Sequence, residues 1–245
     1  MGITSFSSHE DHVAGIPRSY RICPSIIAGD FMSMGEAMDE LALSGCEHVH
    51  LDIMDGHFVP QITFGAKVVH DVCTRFPGFT DCHLMVTDPE SQAAACAEAG
   101  ADLITVHAEC FEEWGGDQGS LKAMLAQIAD LGVLAAVAVD GPTVDLSPLE
   151  SVLSSIDMVL IATGKVGKAG QNLDAACLPK VQSIRAFEGG SDIDIMVDIG
   201  INLQTLEQAV KSGANWFAAS SAVFQHPEGP GAGFQSMNQL LLSFI

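Results

Sequence analysis

Two histidines and two aspartates lie at the ends of short apolar runs, and their types and spacing suit a metal site. His50 and Asp52 are two residues apart, so in a β-strand their side chains point to the same face. His83 lies near the end of a second run, and Asp198 ends a third. Two imidazoles and two carboxylates that converge on one point form a ligand set suited to Zn, Fe(II), Co or Mn.

Such convergence requires a fold that brings the ends of distant strands together. Eight short apolar runs rich in branched residues alternate with stretches of helical period. We predict strands over 21–26, 48–53, 81–85, 103–107, 134–139, 157–162, 193–198 and 215–219. We predict helices over 32–43, 66–75, 89–99, 120–131, 147–154, 174–187 and 203–212.

This alternation predicts an α/β protein of the (β/α)8, or TIM barrel, class. Eight strands that alternate with helices in a chain of 245 residues agree with the usual barrel length of about 250. A doubly wound parallel sheet is the structural alternative, but the spacing is nearly regular and no G-x-G-x-x-G follows the first strand. We expect residues 1–20 to form a polar N-terminal tail and residues 21–245 a single barrel, with its chemistry at the C-terminal ends of the strands.

The composition restricts the partners. The chain has 31 acidic and 10 basic residues and a formal net charge of −21, which argues against nucleic-acid binding. The same negative field repels anions at long range, so a phosphate site must be built locally from backbone amides, helix N-termini or a few placed cations. The positions of the ten basic residues are therefore informative.

The cysteines and the apolar runs indicate the cellular compartment of the protein. Seven cysteines, with no C-x-x-C pair, are typical of reduced thiols in a protein core. No apolar run approaches the roughly 18 residues needed to span a bilayer, and residues 1–20 lack the pattern of a secretory signal. We expect a cytoplasmic protein with no membrane contact.

Five segments, in order along the chain, carry a family motif. They are 23–27 (CPSII), 50–60 (HLDIMDGHFVP), 83–85 (HLM), 99–102 (AGAD) and 220–224 (SSAVF). Together they resemble the ribulose-phosphate 3-epimerase family, and the segment 50–60 is the most specific of them. The resemblance implies a barrel of the ribulose-phosphate-binding type.

The resemblance also implies a reaction. The family implies an isomerase of carbohydrate metabolism and the pentose phosphate pathway that interconverts D-ribulose 5-phosphate and D-xylulose 5-phosphate, and it implies a homo-oligomer. One divalent metal ion is implied at His50, Asp52, His83 and Asp198. Asp52 and Asp198 double as the acid and base on opposite faces of the sugar, through a metal-bound enediolate.

Substrate contacts carry over by position. Ser25 and His83 are implied to touch the sugar, and Met54 and Met85 to line the enediolate, although ordinary core packing explains the two methionines equally well. The remaining predicted contacts lie in a lid after the sixth strand and in the loops after the seventh and eighth strands. They are Lys165, Gly167, Lys168, Ala169, Gly170, Gly200, Ser220 and Ser221.

The lid departs from the family pattern. The family has M-S-V-N-P-G-F-G-G-Q, whereas residues 162–171 read ATGKVGKAGQ. Lys165 and Lys168 are two of only ten basic residues, so we expect them to contact the substrate phosphate or a second anionic group. A solvated loop is the alternative.

The phosphate loops depart as well. The usual V-D-G-G reads V-D-I-G, which places Ile199 where a glycine is customary. A branched residue resists positive φ and close approach by a ligand. The customary Gly-Ser after the eighth strand is Ser220-Ser221. We still expect phosphate binding by the loops after strands seven and eight.

Three alternatives remain open. An epimerase of another sugar, such as allulose 6-phosphate to fructose 6-phosphate, keeps the mechanism. Related phosphate-barrel decarboxylases and aldolases use an Asp-x-Lys-x-x-Asp cluster at the third strand, and this chain has none there. A non-catalytic sugar-phosphate-binding barrel would have little use for two opposed carboxylates.

Overall fold

The computed structural model describes residues 19–117, 119–168 and 170–245. Its eight strands form one parallel sheet in the order β1-β8-β7-β6-β5-β4-β3-β2. The strands are β1 (Arg21–Pro24), β2 (His48–Met54), β3 (Phe79–Met85), β4 (Leu103–His107), β5 (Leu134–Val139), β6 (Met158–Ala162), β7 (Asp194–Asp198) and β8 (Trp216–Ala219). A single parallel bridge between Ser25 and His50 joins the two edges of the sheet. The predicted (β/α)8 barrel is confirmed.

Helices alternate with the strands. In the described residues they are α1 (Met34–Leu43), α2 (Ala66–Arg75), α3 (Pro89–Ala99), α4 (Leu121–Asp130), α5 (Ser147–Glu150), α6 (Pro179–Ala186), α7 (Leu206–Lys211), α8 (Ser221–Phe224) and α9 (Pro230–Leu242). Each predicted strand and each predicted helical stretch overlaps an element of the predicted type. Local capping shortens several of them. For example, Asn202 and Thr205 form a hydrogen-bonded turn, so α7 begins at Leu206 and not at residue 203.

The long C-terminal helix α9 is absent from the sequence prediction. Gly231 and Gly233 near its start are poor helix formers. Both are needed for close packing, because a Cβ at Gly233 would lie 2.4 Å from the Val223 carbonyl oxygen and one at Gly231 would lie 3.1 Å from that of Glu40. Phe234 and Met237 are buried at helical spacing, and this was the available signal.

Apolar side chains pack against both faces of the sheet, one inside the barrel and one outside it. The barrel interior contains Met158, Leu160 and Met196, and the outer layer packs the other strand faces against the helices. This alternation follows from the two-residue period of a strand. It leaves the C-terminal strand ends as the place where polar side chains enter the interior.

The cysteines and the helix lengths can be compared with the sequence predictions. All seven cysteines are free, and all but Cys73 are buried, as expected of core thiols. None of the helices in the described ranges is long and apolar enough to cross a membrane. Residues 1–18 lie outside the described residues, so the polar tail and the domain boundary at residue 21 stay predictions.

Phe217 tests the outer layer. Its side chain is fully buried in β8 within that layer, so we expect Phe217→Ala to lower the free energy of unfolding by about 3–5 kcal/mol. Leu43, which is 89% exposed, is the control. Leu43→Ala should change the free energy of unfolding by less than about 0.5 kcal/mol. Urea unfolding measures both, and equal effects would contradict the assignment of this layer.

Candidate active site

The C-terminal ends of β2, β3 and β7 bring His50, Asp52, His83 and Asp198 together. One potential ligand atom from each lies within 4.8 Å of the others. The register of β2 and β3 places Asp52 directly beside His83. Both histidines are fully buried, and the Asp198 side chain is 14% exposed. The four predicted metal-site residues therefore form one cluster.

Each carboxylate uses one oxygen for the protein and turns the other to the cluster. Asp52 Oδ2 accepts a 2.6 Å hydrogen bond from Ser25 Oγ, while Oδ1 lies 3.3 Å from His50 Nε2 and 3.1 Å from His83 Nδ1. Asp198 Oδ1 accepts from the Ile199 amide at 2.6 Å, while Oδ2 lies 3.9 Å from His83 Nδ1. Two oxygens and two nitrogens thus face a common point.

Asp81 orients His50 from below. Its carboxylate lies 2.6 Å from His50 Nδ1 and 2.5 Å from His48 Nε2, so both histidines donate to it. Burial by itself raises the pKa of Asp81. The charge of His50 and the hydrogen bonds of both histidines outweigh burial and lower this pKa to about 2. His50 Nδ1 therefore donates to Asp81. Although burial opposes protonation, the Asp81 and Asp52 charges raise the pKa of His50 in the metal-free protein, and Nε2 is the nitrogen at which a metal ion could replace the second proton.

The cluster fits a divalent metal ion. His50 Nε2 is buried and has no hydrogen-bond partner among the described residues. Ligand atoms at 2.0–2.2 Å from a tetrahedral ion are about 3.4 Å apart, and the observed separations of 3.1, 3.3 and 3.9 Å bracket that value. Imidazole nitrogen and carboxylate oxygen also suit Zn, Fe and Co. Two imidazole nitrogens and two carboxylate oxygens around one point thus form a donor set that fits a divalent cation.

The two aspartates differ in acidity. Burial opposes ionisation of Asp52, but His50 and His83 together lower its pKa. Burial and then the Asp52 charge raise the pKa of Asp198 to about 6. Two carboxyl groups with separated pKa values can hold one proton between them, as an acid and base pair requires.

An open cavity of about 790 Å³ lies over the cluster. Nine of the predicted substrate contacts line it, namely Ser25, Met54, Met85, Gly167, Lys168, Gly170, Gly200, Ser220 and Ser221. His83 is fully buried and is absent from this lining. Lys165 is exposed and outside the lining, and Ala169 lies outside the described residues.

Gln171 holds the lid in place. Its side-chain amide donates to the carbonyl oxygens of Lys165 at 2.6 Å and Lys168 at 2.7 Å. A Cβ at Gly167 would lie 2.4 Å from Val59, so the lid contacts the loop after β2. Of the two lysines, the structure therefore brings only Lys168 to the cavity.

The loops after β7 and β8 show two features that the sequence prediction missed. Ile199 has a φ of 78°, and it is the one non-glycine residue with positive φ in the described ranges. The expectation that a branched residue avoids positive φ here is wrong, because Asp198 Oδ1 accepts from its amide and Thr163 Oγ1 donates to its carbonyl oxygen at 2.6 Å. The Ser220 hydroxyl joins the first loop to the last, since it donates to the Ser25 carbonyl oxygen and accepts from the Ala28 amide.

The sequence analysis did not identify Asp81, His107 or Glu109 as site residues. In the structure, His107 Nε2 lies 2.9 Å from His83 Nε2, and its Nδ1 lies 3.1 Å from Glu109 Oε2. The available signal was the two-residue period, which places Asp81 and His83 on one face of β3.

Comparison with known proteins identifies relatives over most of the chain. Residues 21–224 match the model of the ribulose-phosphate 3 epimerase family. The chain is 34% identical over 209 residues to the ribulose-phosphate 3-epimerase of Bacillus subtilis (strain 168), a match that covers 83% of this chain and 92% of the relative. It is 37% identical over 208 residues to that of Synechocystis sp., covering 84% and 88%.

Solved structures share the fold at lower identity. The 3-hexulose-6-phosphate synthase of Salmonella typhimurium has a TM-score of 0.67 and 16% identity, covering 92% of this chain and all of that one. KGPDC from Streptococcus mutans has a TM-score of 0.66 and 14% identity, covering 93% of this chain and 99% of that one. These likenesses concern the barrel fold alone.

Ile199 yields a stability prediction. At ordinary positions glycine is less stable than alanine by about 0.5–1 kcal/mol, but a positive φ penalises alanine. We expect Ile199→Gly to be more stable to urea than Ile199→Ala by about 1 kcal/mol. Val144, which is 90% exposed and lacks positive φ, is the control position, where alanine should be the more stable. The same order at both positions would show that Ile199 carries no strain.

Proposed function

The chain belongs to the ribulose-phosphate 3-epimerase family, and from this we propose that it is a metal-dependent ketose-phosphate 3-epimerase acting on D-ribulose 5-phosphate and D-xylulose 5-phosphate. As a family member it is an isomerase-class epimerase. One observation carries the proposal beyond the family name: Asp52 and Asp198, from strands on different sides of the barrel mouth, both turn a free oxygen to a point flanked by two imidazoles.

We propose that one divalent ion binds between His50 Nε2, His83 Nδ1 and the free oxygens of Asp52 and Asp198. The donor set suits Zn, Fe(II), Co or Mn. Such an ion supplies Lewis-acid stabilisation of the negative charge that develops on the substrate oxygens.

The two aspartates carry the proton transfer. Inversion at carbon three requires removal of the proton on that carbon, which is acidified by the adjacent ketone. One carboxylate accepts this proton, and the electron pair of the C–H bond moves into the enediolate. The other carboxyl group then returns a proton to the opposite face of the same carbon. Asp52 accepts and Asp198 donates in one direction, and the roles exchange in the other.

Neighbouring side chains support the proton transfer. Ser25 Oγ donates to Asp52 Oδ2 at 2.6 Å and so directs Oδ1 toward the substrate position. Met54 and Met85 line the cavity with apolar atoms and are buried. Their thioethers keep water from the enediolate without competing for its protons.

The phosphate is assigned to the loops after β7 and β8. Gly200, Ser220 and Ser221 line that end of the cavity, and their backbone amides suit an anion. Lys168 reaches the cavity from the lid and supplies a positive charge in a chain of net charge −21. A longer ketose phosphate, such as allulose 6-phosphate, is the second candidate because this lysine offers an additional polar contact.

The aspartates give the test of the proposed function. We expect Asp52→Asn and Asp198→Asn each to slow conversion of D-ribulose 5-phosphate by about 10²–10⁴-fold, because each removes one of two required proton carriers. Deuterium uptake at carbon three, followed by NMR in heavy water, separates proton exchange from inversion. Any residual exchange should be confined to one epimer in each variant.

Asp130, an exposed carboxylate at the end of α4, is the matched control, and Asp130→Asn should keep the wild-type rate. Inversion within tenfold of wild type in either active-site variant would refute the two-base assignment. Turnover of allulose 6-phosphate in preference to ribulose 5-phosphate would keep the mechanism and change the sugar.

The two lid lysines can be separated by mutation. We expect Lys168→Ala to raise KM for the sugar phosphate by about tenfold with little change in kcat, because a charge-assisted contact to phosphate is worth about 1.5–3 kcal/mol. Lys165→Ala removes the same charge from a residue outside the cavity lining, and it should change KM less. Equal KM values for Lys168→Ala and wild type would exclude the contact.

A further inference from the structure

A buried chain of hydrogen-bonded side chains leads from His83 through His107 to Glu109, and none of the three lines the substrate cavity. His83 Nε2 lies 2.9 Å from His107 Nε2, and His107 Nδ1 lies 3.1 Å from Glu109 Oε2. Both imidazoles are fully buried. Their ring planes differ by 25° and their centroids lie 5.0 Å apart, and the centroid of the Phe58 ring lies 4.9 Å from that of His107. The chain is therefore held rigidly by packing.

Glu109 is the last residue of this hydrogen-bond chain, and its carboxylate only accepts hydrogen bonds. Its Oε1 accepts from the Asp140 amide at 2.8 Å and from Thr143 Oγ1 at 2.5 Å, which leaves Oε2 for His107. Burial by itself raises the pKa of Glu109, but the hydrogen bond from His107 outweighs burial and lowers this pKa to about 2. The carboxylate is ionised at neutral pH, so His107 Nδ1 must carry the proton of this hydrogen bond.

The direction of the remaining hydrogen bond follows. A second proton on a buried ring that faces another imidazole is costly, so His107 Nε2 keeps its lone pair. Of two nitrogens 2.9 Å apart one must donate, and His83 Nε2 is therefore the donor. His83 Nδ1, which lies 3.1 Å from the acceptor Asp52 Oδ1, is then the ring nitrogen at which a metal ion can take the place of a proton.

We propose that Glu109 and His107 are positioning residues, which hold His83 in the tautomer whose Nδ1 lone pair faces Asp52 and Asp198. The inference rests on the proposed function in that the cation bound there is the metal ion. The two histidines of the cluster are thus fixed in opposite tautomers, His50 by Asp81 at Nδ1 and His83 by His107 at Nε2.

Glu109→Gln tests the chain by reversing it. The glutamine oxygen must stay toward Asp140 and Thr143, which both donate, so its NH2 group faces His107 Nδ1. His107 then becomes protonated at Nε2, and His83 at Nδ1. We expect the Zn²⁺ affinity of the metal-free protein, measured by competition with a chromophoric chelator, to fall by about 10–100-fold.

The ¹⁵N NMR spectrum of the histidine-labelled, metal-free protein reads the tautomers directly. We expect His107 to be protonated at Nδ1 alone in the wild type and at Nε2 in Glu109→Gln. A merely structural role of Glu109 would not exchange these two signals. Protonation of wild-type His107 at Nε2 alone would overturn the proposal.

Thr143→Val is the matched control. It removes one hydrogen bond to the same carboxylate but leaves Oε2 an acceptor, so the Zn²⁺ affinity should stay within about threefold of wild type. An equal loss in both variants, or none in Glu109→Gln, would refute the positioning role. If the wild type binds no Zn²⁺ while His107 shows the expected tautomer, the proposed metal site fails and the hydrogen-bond chain stands.

Discussion

The burial of carboxylates beside imidazoles on β2 and β3 is the constraint on which the site depends. Asp52 and Asp81 are almost fully buried, and an unpaired charge there costs several kcal/mol. Each is paired with two histidines, since Asp81 contacts His48 and His50 and Asp52 contacts His50 and His83. Three of these four pairs join β2 to β3, so a shift of register between the two strands would separate them and leave buried charges unpaired.

The same pairing determines which atoms remain for chemistry. Asp81 takes the Nδ1 proton of His50, Ser25 occupies one oxygen of Asp52, and the Ile199 amide occupies one oxygen of Asp198. What is left is a nitrogen or an oxygen on each ligand, all directed at one point below the cavity. The cluster forms because the other polar atom of each of these side chains is hydrogen-bonded within the protein. The strained backbone at Ile199 contributes, because its amide holds Asp198.

Much of the fold and the cluster could be predicted from the sequence. The strands were recognisable as short apolar runs, and His50, Asp52 and His83 were recognisable by their two-residue period and motif. Asp81, His107 and Glu109 were not, because their roles depend on contacts between strands and on a loop, which a single sequence does not specify. The separation of Lys165 from Lys168 likewise depends on the Gln171 hydrogen bonds that shape the lid.

The proposed function depends on one divalent ion bound between the four side-chain atoms that face one another in the cluster. Its most direct test is a crystal of the protein grown with Zn²⁺, with anomalous diffraction recorded on both sides of the zinc absorption edge. We expect one strong peak bonded to His50 Nε2 and His83 Nδ1, with Asp52 and Asp198 completing the coordination. A cluster without a peak, or an ion bound through His50 Nδ1 or His83 Nε2, would contradict it.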